Sequence, residues 1–130
     1  MSYFSELIDD GTGVLWTGRG VVTGEEVLAG AKTWLSLSPT PERFTHFIAD
    51  FSGATALEIS AEEVLKIGDV DKKNAEVIHN LVGAIVMPTG HGQFLASIYE
   101  SLNPPGGWTI QVFRTRQEAR DWLASADPRH

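Results

Sequence analysis

Residues Phe44 to Ile67 read FTHFIADFSGATALEISAEEVLKI, and the two halves of this stretch ask for different structures. Phe44 to Phe51 is apolar at nearly every position, as expected of a strand covered on both faces. Ser52-Gly53-Ala54-Thr55 reads as a loop, and Ser60-Ala61-Glu62-Glu63 is a capping box that opens a helix over Val64, Leu65 and Ile67. A buried strand whose carboxyl end leads into a loop and then a helix amine end is where α/β folds put their sites.

Upstream, Tyr3 to Ile8 and Val14 to Val22 read as two strands joined by Asp9-Asp10-Gly11-Thr12-Gly13, an antiparallel hairpin. Gly18 and Gly20 in the second strand predict a bulge or a close approach by another backbone. Thr23-Gly24-Glu25-Glu26 is a further capping box, and the helix after it places Val27, Leu28, Ala31, Trp34 and Leu35 on one face until Pro39 and Pro41. Downstream of the quoted stretch, Gly68-Asp69 interrupts the helical pattern, which resumes from Val70 to Asn80 with Ala75, Val77 and Ile78 inward; one kinked helix or two short ones both fit.

Leu81 to Met87, LVGAIVM, is a short buried strand. The turn Pro88 to Gly92 leads to a helix with Phe94, Leu95, Ile98 and Leu102 on its apolar face, and Asn103-Pro104-Pro105-Gly106-Gly107 breaks it. Trp108 to Phe113 alternates like an edge strand. Thr115 to Glu118 is a third capping box, opening a helix with Ala119, Trp122 and Leu123 inward. The order ββαβα(α)βαβα calls for an α/β domain with a mostly parallel five-stranded sheet, an N-terminal β-hairpin and four or five helices, joined by right-handed crossovers. Residues 1–124 make one domain, with 125–130 a frayed tail.

Composition narrows the function classes. With 42% hydrophobic and 21% charged residues the chain is an ordinary globular domain. Ten Lys plus Arg against seventeen Asp plus Glu give a formal charge of −7, which disfavours nucleic acid and anionic membrane surfaces as partners. The absence of cysteine removes disulfides, thiol nucleophiles and Cys-ligated zinc. No basic start followed by an apolar stretch marks a signal peptide, and no apolar run is long enough for a membrane span, so the expected compartment is the cytoplasm.

The strand end Ile48-Ala49-Asp50-Phe51-Ser52-Gly53, the stretch Gly92-Gln93-Phe94-Leu95-Ala96-Ser97-Ile98-Tyr99-Glu100, and the closing Val112-Phe113-Arg114-Thr115, Glu118-Ala119, Trp122-Leu123 carry a family likeness. Together with the element order, they resemble the STAS-like superfamily, and within it the small bacterial stand-alone proteins described as anti-sigma-factor-antagonist-like or STAS/SEC14-like. The resemblance spans roughly residues 3 to 124. It implies a single STAS-like domain with a non-catalytic regulatory or binding role. In anti-sigma-factor antagonists the strand's Asp is followed by a second acidic residue and a phosphorylatable Ser at the helix start. Here Asp50 matches the first acid and Glu58-Ile59-Ser60 occupies the second place, with Ile59 at the hydroxyl position and Ser60 one residue later.

Each candidate residue has a functional and a structural reading. Ser60 is either a phosphosite on a helix amine end or a plain N-cap completed by Glu63. Asp50 is either a base or metal ligand, or a carboxylate that accepts amides of the following loop; no second carboxylate or His stands at ligand spacing. His46 lies on the same strand face but ~13 Å away, too far to cooperate. His91, in Thr89-Gly90-His91-Gly92, is either a ligand contact or a solvated turn residue, since the loop lacks GxGxxG spacing and a P-loop Lys. His79 is expected to complement the dipole near a helix end. No G-x-S-x-G elbow is present.

The role that the resemblance implies, and these residues permit, is a protein-binding or regulatory module that presents Asp50, Ser52, Glu58, Ser60 and His91, with no catalytic residue, cofactor or metal. The alternative is a carrier or sensor of a small apolar or lipid-like ligand in a cavity lined by Phe47, Phe51, Leu57 and Phe94. An edge strand at Trp108 to Phe113 offers a route to a homodimer.

Overall fold

A computed structural model describes residues 2–102 and 107–125. Five strands form one sheet in the order β1-β2-β3-β4-β5: β1 Tyr3–Ile8, β2 Gly13–Thr23, β3 His46–Glu58, β4 Val82–Val86 and β5 Thr109–Phe113. The hairpin β1/β2 is antiparallel and every other pair is parallel. The helices are α1 Gly24–Ala31, α2 Ala61–Asn74, α3 Gly90–Ser101 and α4 Arg116–Ser125.

Because β2 to β5 step across the sheet in one direction, right-handed crossovers put α1, α2 and α3 on the same face. The alternation of each strand then sorts two cores. Val14, Trp16, Phe47, Ala49, Phe51, Ile85 and Met87 pack under those three helices, while Leu15, Ile48, Ala84 and Val86 face Ala119 of α4 on the other side. The larger core is aromatic. Trp34 lies within 5.4–5.7 Å, centroid to centroid, of Trp16, Phe44, Phe47 and Trp108, and the Trp108 indole donates to the Ile78 carbonyl at 2.7 Å.

Several boundaries differ from the sequence reading. The central strand starts at His46 and does not stop at Phe51; Ser52-Gly53-Ala54-Thr55 is strand, not loop. The eleven residues of β2 run beside the thirteen of β3, with register shifts between Thr17/Arg19 and Gly20/Val21 that leave extra residues on β3. The bulges therefore sit on β3 opposite Gly18 and Gly20; Gly20 takes φ +63, and a Cβ on Gly18 would meet the Phe51 ring. Beyond Asp50, the last β3 residue paired with β4, the two strands leave the sheet as a parallel ribbon.

α1 ends at Ala31, so Trp34 reaches the core from a separate 3₁₀ turn and Leu35 is exposed. α2 runs unbroken through Gly68-Asp69, and the chain from Ala75 to Asn80 turns rather than continuing as helix; Val77 is exposed. Gly68 inside the helix leaves room for the Leu102 side chain, whose Cδ1 would lie 2.7 Å from a Cβ there. Helix α3 begins at Gly90, so His91 stands in a first helical turn rather than a loop, and Phe94 is 60% exposed instead of facing inward. Ser125 is the last residue of α4, not part of a tail. The break expected at residues 103–106 and the tail 126–130 lie outside the described residues.

Candidate functional site

The carboxyl ends of the parallel strands, the ribbon that prolongs β2 and β3, and the starts of α1, α2 and α3 meet at one pole. Each of these three helices begins with a capped turn. Thr23 Oγ1 accepts from the Glu26 amide, Ser60 Oγ from the Glu63 amide at 3.1 Å, and Thr89 Oγ1 from the Gly92 amide at 3.1 Å. In α1 and α2 the third helical residue, Glu26 or Glu63, accepts the amide of its own N-cap, completing the box.

The predicted site residues divide between two sides of this pole. Asp50 faces α4. Its carboxylate accepts the Ser52 amide at 2.9 Å through one oxygen, and the other lies 3.4 Å from Arg116 Nε in the first turn of α4. It is only 7% exposed, at the back of a groove of about 270 Å³ between α4 and β1 lined by Phe4, Thr17, Arg19, Ser52 and Arg116. Both oxygens are thereby engaged, and the group anchors the bulge where β3 leaves the sheet.

Glu58 and Ser60, both exposed, stand at the tip of the ribbon; Ser60 is the N-cap of α2. His91 is exposed on α3, next to Gly92, against which the Leu57 side chain of the ribbon packs. Glu58 and Ser60 thus share the ribbon tip, His91 is the neighbour in sequence of the Gly92 that Leu57 packs against, and Asp50 lies on the other side of the sheet toward α4. Ile59, at the position where the resemblance puts a hydroxyl, points inward and lines a cavity under the helices. His79 is exposed in the turns after α2, outside any helix. His46 sits at the opposite end of β3, where Nε2 meets Asp9 at 2.6 Å and Nδ1 meets the Thr45 hydroxyl at 2.7 Å.

That cavity, about 90 Å³, lies between the sheet and α1–α3. Phe47 and Phe51 line it as expected, whereas Leu57 packs against α3 and Phe94 faces solvent. Its wall carries the buried Asp71, whose carboxylate accepts the Tyr99 hydroxyl at 2.6 Å and the Asn74 side-chain amide at 3.0 Å. Burial pushes the Asp71 carboxyl up to about 6, against the opposing pull of these two hydrogen bonds. Burial, and then the Asp71 carboxylate beside them, raises both Tyr3 and Tyr99 above the usual phenol range.

No family model and no curated protein matches the chain. Solved structures do. An uncharacterised protein of the DUF3478 family from Shewanella loihica PV-4, described as having a SpoIIAA-like fold, aligns with TM-score 0.57 and 15% identity over 93% of this chain and 91% of that one. The anti-sigma factor antagonist SpoIIAA in its unphosphorylated form aligns with TM-score 0.55 and 14% identity over 95% of this chain and 98% of that one. This chain has a SpoIIAA-like fold. At such identities the likeness speaks to architecture, and it agrees with the STAS-like reading of the sequence.

Within the SpoIIAA-like fold, sequence reasoning passed over Arg116, the partner of Asp50, and the trio Asp71, Asn74 and Tyr99. A signal for the trio was present. Val64, Ile67, Asp71 and Asn74 fall at helical spacing on the buried face of α2, so two polar side chains occupy an apolar stripe. A polar group there must have a partner, and the Asp71/Asn74 contact, three residues apart on one face, is the part of the trio that spacing alone makes visible.

Proposed function

We propose that this chain is a non-catalytic regulatory module that docks a protein partner at the ribbon tip, through Glu58, Ser60 and His91, with Ser52 at the root of the ribbon. The observation that carries this reading is the agreement of almost the whole chain, end to end, with the fold of an anti-sigma factor antagonist. The local geometry supports binding rather than turnover. The Ser60 hydroxyl is engaged in a cap and the Asp50 carboxylate in an ion pair and an amide contact, so neither is poised beside a base or nucleophile.

Ser60 is the regulatory position in this proposal. A phosphate on its exposed hydroxyl would sit on the amine end of α2, favoured by the free amides and the dipole and opposed by the charges of Glu62 and Glu63, and it would change the charge presented at the ribbon tip. Affinity purification from the native host tests both parts. A stoichiometric partner should be retained by the unaltered chain and by Asp121→Arg on α4, and lost with Glu58→Arg or His91→Glu. Retention by the ribbon-tip variants would overturn the docking surface. Phosphate found on another residue by intact-mass mapping would overturn the role of Ser60.

A further inference from the structure

We infer that the groove between α4 and the amino ends of β3 and β4 is a binding site for a free amino acid with an apolar side chain. Its carboxylate pairs with Arg120, its ammonium with Asp9 and Thr45, and its side chain lies on Ile48, Val82 and Leu123. The site is at the end of β3 opposite the ribbon tip, shares no residue with the docking surface, and goes beyond the partner-docking role.

The first observation is a fixed chain of polar groups. A carboxylate only accepts, so His46 Nε2–H donates to Asp9 Oδ2 at 2.6 Å, and Nδ1 of the neutral ring accepts the Thr45 hydroxyl at 2.7 Å. The hydroxyl proton is thereby committed to the ring, and the Thr45 oxygen is left as an acceptor. The backbone is shaped around this chain. A Cβ on Gly13 would lie 2.4 Å from His46 Nε2, and Asp9 and Asp10 both take left-handed φ, +53 and +57, a conformation unfavourable to residues other than glycine. The imidazole is 20% exposed and the Asp9 side chain 58%, so the second Asp9 oxygen stays open to a ligand.

The second observation is the balance of charge. Asp9, Thr45 and His46 line a groove of about 310 Å³, and Arg120 lines it from α4. Arg120 is exposed and belongs to no ion pair among the described residues. The groove therefore offers one acid and one base. A simple anion would pair with Arg120 and be repelled by Asp9; a simple cation would meet the reverse. A zwitterion matches both.

The third observation is the remaining wall, which is apolar: Ile48 and Val82 from the sheet, Leu123 from α4. The volume is roughly twice the ~150 Å³ that admits benzene, and it stands at the lower end of the range for small-molecule sites. That suits an amino acid head group together with a branched or aromatic side chain.

The test titrates the full chain calorimetrically at pH 7.5 with three probes: L-leucine, 4-methylpentanoate, which lacks the ammonium, and 3-methylbutylamine, which lacks the carboxylate. Leucine should bind, and each analogue should be weaker by about tenfold or more, the loss of one charge-assisted contact. Arg120→Gln, at an exposed position on α4, should bring leucine down to the level of the amine and leave the amine unchanged. Asp9→Asn should weaken leucine about tenfold and leave 4-methylpentanoate no weaker. Glu58→Arg at the ribbon tip should bind leucine as the unaltered chain does. Failure of leucine, valine and phenylalanine alike to bind would overturn the inference. So would an analogue that binds as tightly as leucine, or an unchanged leucine affinity in Arg120→Gln.

Discussion

A Cβ built on Gly83 would lie 2.1 Å from Phe47 Cε2, and the Phe47 ring has nowhere to go. It is held edge-on to Trp34 at 5.5 Å and against Trp108 at 6.0 Å. Packed interiors resist added volume, so Gly83→Ala should cost about 1–3 kcal/mol, read as a lower urea midpoint at unchanged slope. At the same scale, Asp50 shows how an acidic residue at a strand end can serve structure. Its two oxygens hold the Ser52 amide and Arg116, a pairing invisible in the sequence because the partners are 66 positions apart.

Among the elements, α2 joins a candidate regulatory end to a buried polar face. Its amino end is closed by Ser60 and Glu63, and the face toward the core carries Asp71 and Asn74. Ser60→Ala removes the side-chain acceptor for the Glu63 amide and should destabilise the chain by ~1 kcal/mol in urea unfolding, with little change in the circular dichroism of the native state. An unchanged midpoint would mean that the first turn of α2 is already open in the native state. The β2/β3 ribbon has a different logic. Two strands of unequal length stay paired only because β3 stores its surplus as bulges, and this turns the chain after Asp50 away from β4 and carries Glu58 and Ser60 out to the tip.

Across the whole molecule, Asp71 makes stability depend on pH. Its carboxyl is raised from the ordinary 3.8 to about 6, chiefly by burial. A raised folded value means that the folded chain binds the proton more tightly than the unfolded one. The associated stability is fully present below about pH 4 and is lost as pH rises through about 6. The shift corresponds to about 3 kcal/mol. Relative to the unaltered chain, Asp71→Asn should therefore gain roughly 2–3 kcal/mol between pH 4 and pH 7.5, measured by denaturant unfolding at each pH. A flat difference would show that the carboxylate is better solvated than its surroundings suggest.

The sequence by itself determined the element order, the hairpin, the fully apolar strand at Leu81 to Met87 and all three capping boxes, because each depends on neighbours within a few positions. The box at Thr115 is seen in the mutual contacts of Thr115 and Glu118, as in the other two. What only the tertiary structure decided were matters of partnership across the chain. Ser52 to Glu58 looks like a loop because small and polar residues break its alternation, yet the long β2 strand supplies backbone partners that hold it extended. Phe94 fits an apolar stripe by spacing, but the crossover that seats α3 turns the faces of Leu95 and Ala96 inward instead. The separation of Asp50 from Ser60 and His91, and the convergence of Asp71, Tyr99 and the aromatic rings on one cavity, follow from which face of the sheet each helix covers. Local spacing encodes elements; only the packed sheet brings distant side chains within a hydrogen bond of one another.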